Sequence, residues 1–182
     1  GIDADRLPEE KRRGITIELG YASMPLEDGT PTTPLIGFVD VPGHEKLVRT
    51  MVAGASGIDF ALLLVAADDG IMPQTVEHLT ILSLLGLQRG AALLTKADRA
   101  DTALLEQRTQ EVMSLLESVG LGHWPVLTVS AHRGDGIPEV RALLRQEARA
   151  AERARDPHQG FRMALDRVFT LDGIGTVVAG SI

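Results

Sequence analysis

The chain has 182 residues, is 44% hydrophobic and 24% charged, carries a net charge of −7 and contains no cysteine. Its length suits one ordinary domain plus the beginning of another, and no apolar run is long enough for a membrane-spanning helix, so the chain reads as soluble and globular. Absent cysteine excludes disulfides and thiolate metal sites and suits a cytosolic setting, while the acidic balance argues against a general phosphate-backbone binder.

The first residues, Gly1-Ile-Asp-Ala-Asp-Arg6, are charged, unlike a secretory signal, and lack Met, so they read as an internal cut. Basic residues cluster at Lys11-Arg12-Arg13. Ile15, Ile17, Leu19 and Tyr21 then alternate with Thr16, Glu18 and Gly20, the period of a half-buried strand with those four residues inward. Glu27-Asp-Gly-Thr-Pro31 is a turn, and Leu35 to Val39 resumes as the antiparallel partner strand.

Three short, largely apolar runs follow: Ile58 to Ala67, Ala91 to Leu94, and Val126 to Val129. Such runs suit parallel strands covered on both faces. Between them the sequence predicts helices. One starts near Pro73, a favoured first-turn residue, and stops at Gly86. Another opens after Asp101 as N-cap, places Leu104, Leu105, Val112, Leu115, Leu116 and Val119 on one side, and ends at Gly120. A third runs from Pro138 to near Asp156-Pro157. Its arginines at 141, 145, 149, 153 and 155 fall mostly at four-residue spacing beside Glu147 and Glu152, which reads as a solvated, salt-bridged face. Alternating strands and helices of this length give a mostly parallel sheet of the α/β class. After Pro157 the pattern changes to β, with Phe161 to Phe169 alternating and Gly173 to Gly180 punctuated by glycine. The expected division is therefore 1–156 and 157–182, the second part being the start of a β-barrel domain.

Four stretches carry chemistry. Asp40-Val-Pro-Gly-His44 closes an apolar strand: Asp40 can hold Mg²⁺ through a water, Gly43 lets its N–H approach a γ-phosphate, and His44 can orient an attacking water. A plain strand-to-helix turn accounts for the same residues. Thr95-Lys-Ala-Asp98 also ends a strand; Asp98 can accept from two adjacent guanine ring donors, a pair that adenine lacks, while the Lys96 stem lies across the base. Ser130-Ala131 follows the next strand, where backbone N–H groups can meet the guanine carbonyl. Thr16, in Arg13-Gly-Ile-Thr16, can complete Mg²⁺ coordination from a loop and give its N–H to the γ-phosphate. Each stretch alone also reads as a surface turn or strand end. Their order, with three at strand ends on the side where α/β sheets bind ligands, points to a guanine-nucleotide site.

Gly14-Ile-Thr-Ile17 with Asp40-Val-Pro-Gly-His44 resembles the translational GTPases. Within them, Asp3-Ala-Asp-Arg-Leu-Pro-Glu-Glu-Lys11, Leu19-Gly-Tyr-Ala22 and Leu94-Thr-Lys-Ala-Asp98 resemble the selenocysteine-specific elongation factors, related to elongation factor Tu. The resemblance implies a sheet of the P-loop NTPase type, a GTPase using GTP and Mg²⁺, and delivery of selenocysteinyl-tRNA to the ribosome at recoded UGA codons beside an mRNA hairpin, as a cytoplasmic monomer. It also implies Thr16 and Asp40 on Mg²⁺, Gly43 on the γ-phosphate, His44 as the catalytic residue, and Thr95, Lys96, Asp98, Ser130 and Ala131 on guanine. The chain departs from most GTPases in having Thr95 where Asn is usual, which removes an amide donor. The Gly-rich phosphate loop does not occur within 1–182, so this segment by itself is expected to fold poorly and bind GTP negligibly. Two rival readings remain: another translational GTPase, of the general elongation or initiation-factor gamma type, and a non-hydrolysing interaction domain.

Overall fold

The computed structural model describes residues 19–27, 33–43, 48–55, 57–154 and 163–181. The chain divides into two compact units, 1–58 with 150–182, and 59–149.

In the first unit, β1 (Gly20–Pro25) pairs antiparallel with β2 (Leu35–Asp40), Gly20 opposite Asp40 and Pro25 opposite Leu35. The antiparallel pairing expected from the sequence is present, but with the opposite facing. Gly20 is buried and Ala22 and Met24 half-buried, while Tyr21 lies exposed. Side chains alternate along a strand, so enclosing Gly20 turns Tyr21 to the other face. Helix α1 (Val48–Ala55) packs against β2, with Met51 fully buried. The same unit holds the hairpin of β6 (Ala164–Leu171) and β7 (Gly175–Ser181), joined by a turn in which Gly173 takes a positive φ. The boundary expected at 156/157 falls outside the described residues.

The second unit contains the parallel sheet. Its strands β3 (Ala61–Ala66), β4 (Gly90–Thr95) and β5 (Val126–Thr128) lie in the order β3-β4-β5. β4 is central, and Ala91, Ala92, Leu93 and Leu94 are all buried, as an apolar run with no alternation requires. β3 departs from that expectation. Ala61, Leu63 and Val65 are buried, but Leu64, on the opposite face, is 60% exposed. Its run is apolar, yet among the described residues only one of its faces is fully packed.

The connecting helices follow their sequence signals closely. α2 (Pro73–Leu84) begins at proline, with Thr75 Oγ1 accepting from the Met72 N–H, and its chain turns at Gly86 in the left-handed region. α3 (Thr102–Ser118) is capped by Asp101, whose carboxylate accepts from Leu104 N at 2.8 Å, and packs Val112 and Leu116 inward. α4 (Ile137–Ala154) buries Val140 and Leu144. Glu147, read from the sequence as part of a salt-bridged helix face, receives Arg89 from the approach to β4. The guanidinium reaches Glu147 Oε2 at 2.6 Å and its backbone carbonyl at 2.8 Å. No helix among the described residues is long and apolar enough to cross a membrane.

Candidate functional site

Every strand of a parallel sheet ends on the same side, so the loops after β3, β4 and β5 gather at one edge. Backbone bonds continue the sheet past the strand ends: Ala67 N donates to Thr95 O at 2.8 Å, Val129 N to Leu94 O at 2.9 Å and Ala97 N to Val129 O at 3.1 Å. Two of the predicted stretches, Thr95–Asp98 and Ser130–Ala131, are placed by these anchors.

Thr95 closes β4, its hydroxyl donating to Val65 O of β3 at 3.4 Å. Lys96 follows in the left-handed region, with φ 54°, and a single turn of 3₁₀ helix, Ala97–Arg99, carries Asp98. From the loop after β5 the fully buried Ser130 donates its hydroxyl to Asp98 Oδ1 at 2.5 Å and accepts from Arg133 N at 3.1 Å. That loop is tightly closed, Ser130 N donating to Asp135 O at 2.9 Å and Gly134 N to Ser130 O at 2.8 Å. Ala131 is exposed in its first turn. The Ser130 hydrogen bond, aided by the positive field of Arg133 and His132, holds the Asp98 carboxyl below the ordinary carboxylate range against the opposing effect of desolvation. Among the described residues Ser130 is the one side chain that donates to Asp98. An ionised carboxylate with acceptor capacity to spare therefore stands at the ligand edge of the sheet, suited to a pair of adjacent N–H donors.

Lys96 meets two residues the sequence reading passed over. Its ammonium lies 3.1 Å from Asp68 Oδ1 and 3.0 Å from Asp69 Oδ2, and Arg99 NH1 is 3.1 Å from Asp68 Oδ2. Asp68 is driven below its ordinary range chiefly by the Lys96 hydrogen bond, and Lys96 is raised chiefly by that of Asp69. The signal was present in Ala66-Ala-Asp-Asp-Gly70, carboxylates directly after an apolar strand, the same pattern that singled out Asp98.

The other predicted residues belong to the first unit. Asp40 is the last residue of β2 and exposed; Val41, the buried Pro42 and the exposed Gly43 follow. Thr16 and His44 lie outside the described residues. Among the described residues no group of three or more His, Asp or Glu side chains could hold a metal ion. Asp40 offers one hard oxygen donor, which fits Mg²⁺, an ion held by one or two protein oxygens together with water and phosphate.

The parallel sheet is that of a GTPase domain, and sequence comparison gives the family. The family of the elongation factor Tu GTP binding domain matches residues 2–150, and the chain belongs to it. Among its relatives are the selenocysteine-specific elongation factors of Desulfomicrobium baculatum and Escherichia coli, 49% and 46% identical over the whole of this chain. The chain spans 28% of the length of each. The translation initiation factor 2 subunit gamma of Thermococcus kodakarensis is 32% identical, with half of its length covered. Among solved structures, a bacterial selenocysteine-specific elongation factor superposes with a TM-score of 0.80 at 34% identity, over 98% of this chain and 30% of that one. The elongation factor SelB of Methanococcus maripaludis in complex with the GTP analogue GppNHp gives 0.75 at 34% identity, over 91% of this chain and 35% of that one.

Proposed function

We propose that the intact protein is a cytoplasmic translation elongation GTPase that delivers selenocysteinyl-tRNA to the ribosome at UGA codons recoded by an mRNA hairpin, hydrolysing GTP to switch state. The observation that carries this reading is the ionised Asp98, bonded to the buried Ser130 beside Lys96 at the sheet edge, in a chain 44–49% identical to three selenocysteine-specific elongation factors. The lower identity to the initiation-factor subunit, 32%, favours selenocysteine delivery over that alternative.

In this reading Asp98 accepts from the two guanine ring donors, the Lys96 stem lies over the base, Thr95 and Ser130 hold the strand ends together, and the backbone at Ala131 faces the guanine carbonyl. Asp40 and Thr16 would hold Mg²⁺, an ion that when bound supplies charge neutralisation for the transferred phosphate. The Gly43 N–H senses the γ-phosphate and His44 orients the attacking water. Release of the γ-phosphate frees the Thr16 and Gly43 contacts, and the loops that carry them relax. Residues 1–156 form the nucleotide domain, and 157–182 begin a β-barrel domain that carries tRNA contacts.

Two measurements test the proposal. Asp98→Asn in the intact protein should move preference from GTP to XTP in competition binding; unchanged selectivity would mean the base is read elsewhere. The GTP-bound protein should protect selenocysteinyl-tRNA from deacylation, and protection of initiator tRNA instead would select the initiation-factor reading.

A further inference from the structure

The carboxylates after β3 have no part in the reading above, yet they grip one of its residues. Among the described residues Lys96 is the one non-glycine residue with positive φ, a conformation that costs any residue bearing a β-carbon. Its backbone is fixed on both sides, Ala67 N donating to Thr95 O at 2.8 Å and Arg99 N to Lys96 O at 2.9 Å. Its side chain ends between Asp68, at 3.1 Å, and Asp69, at 3.0 Å. Asp68 is the more enclosed of the two, 26% exposed against 58%, and its second oxygen is held by Arg99 at 3.1 Å.

The loop bearing these carboxylates is itself held. Gly70 N donates to Ala66 O at 2.8 Å, and Gly70 takes φ +75° with the Arg108 guanidinium packed so closely that a β-carbon would stand 2.6 Å from Arg108 Cζ. Arg108 is in turn tied to Glu111 at 2.7 Å. A half-exposed lysine left to itself samples many rotamers, and an exposed ion pair contributes little to stability. The value of this clasp therefore lies in where it leaves the four-carbon stem.

We propose that Asp68, with Asp69 as its second arm, is a positioning residue for guanine recognition: it anchors the Lys96 ammonium so that the lysine stem forms a fixed apolar ledge beside Asp98. The proposal rests on the guanine-site reading and adds to it a residue that does not itself touch the base.

The test is a double-substitution cycle in the intact protein, with GDP and XDP binding measured by calorimetry. Asp68→Asn should weaken GDP binding about fivefold, with the preference for GDP over XDP unchanged, and should have no further effect in a Lys96→Met background. Asp69→Asn should give a smaller loss. Unchanged GDP affinity in Asp68→Asn overturns the proposal. So does an equal loss in both backgrounds, which would make Asp68 a structural residue acting independently of Lys96. Asp98→Asn separates the two levels. If it moves preference to XDP while Asp68→Asn is inert, only the positioning role falls; if the unsubstituted protein shows no preference for GDP over ADP, the guanine-site reading falls and the positioning role with it.

Discussion

The Ser130 hydroxyl donates to Asp98 Oδ1 across 2.5 Å, tying the turn after β5 to the turn after β4 although the residues are 32 apart in sequence. The same oxygen accepts from the Arg133 N–H at 3.1 Å, so one buried atom serves both the Asp98 carboxylate at the sheet edge and the loop that encloses it. Ser130→Ala removes both bonds. Because Asp98 and the Arg133 N–H can be reached by water once freed, the expected loss of stability is about 1 kcal/mol rather than the larger penalty of a sealed orphan. Urea unfolding of the intact protein, followed by circular dichroism, measures it. In the intact protein the same substitution should also weaken GDP binding, because Asp98 then loses its orienting partner.

The same bond sets a pH dependence. Asp98 is depressed in the folded protein, first by the Ser130 hydrogen bond, then by a backbone hydrogen bond, and less by the nearby Arg133 and His132. A carboxyl whose folded value lies below its unfolded one stabilises the fold fully above the unfolded value, and that stabilisation is lost as pH falls through the folded value. The Asp98 contribution should therefore be complete at neutral pH and disappear only in acid, below the ordinary carboxylate range. Carbon-detected titration of the side chain checks this, and in Ser130→Ala the titration should move upward toward the ordinary range. A titration unmoved by Ser130→Ala would assign the depression to the surrounding charge instead.

Much of this architecture was legible before any coordinates. Pro73, Asp101, Gly86 and Gly120 punctuate helices by backbone rules that act locally, and the helices begin and end beside them. The apolar runs at β3, β4 and β5 specified parallel strands, and thereby the edge where Asp98 and Ser130 meet. The sequence could not say which side of β1 faces inward, because alternation gives a period without a phase; the phase comes from packing, which encloses Gly20 and exposes Tyr21. It also could not pair Glu147 with Arg89, or Lys96 with Asp68 and Asp69. Those are long-range choices among several available charges, made by the fold.

Two glycines of the loop after β5 should respond differently to alanine. Gly134 has φ +85° with nothing within 4 Å of the position a β-carbon would take, so Gly134→Ala carries only the cost of the left-handed backbone, about 1 kcal/mol. Gly136 has φ +74°, and its β-carbon would collide with the backbone carbonyl of Thr128 and stand 2.9 Å from Val129 Cγ1. The carbonyl belongs to β5 and has little freedom to yield. Gly136→Ala should therefore cost clearly more, about 3 kcal/mol, and disturb the Ser130 turn as well. Denaturant midpoints of the two variants provide the comparison, and equal losses would show that the loop gives way at both positions.

Gly90, the first residue of β4, faces the indole of Trp124, and a β-carbon there would stand 2.5 Å from the ring atoms Cζ2 and Cη2. The ring cannot easily retreat. Trp124 is buried, its Nε1–H donates to Gln88 O at 3.0 Å, and His123 Nε2 meets the same carbonyl at 2.6 Å. Gly90→Ala should therefore overpack the site and destabilise the protein by about 2 kcal/mol, well beyond what a strand alanine costs elsewhere. The colliding atoms all belong to the six-membered ring of the indole, so a shorter aromatic side chain relieves the clash. Trp124→Phe alone should be destabilising, through lost area and the lost bond to Gln88, but Gly90→Ala added to it should cost little more. Thermal unfolding followed by circular dichroism, which needs no tryptophan, gives the coupling. Strict additivity of the two substitutions would mean that the strand shifts to accept the alanine, and that the indole does not set the position of β4.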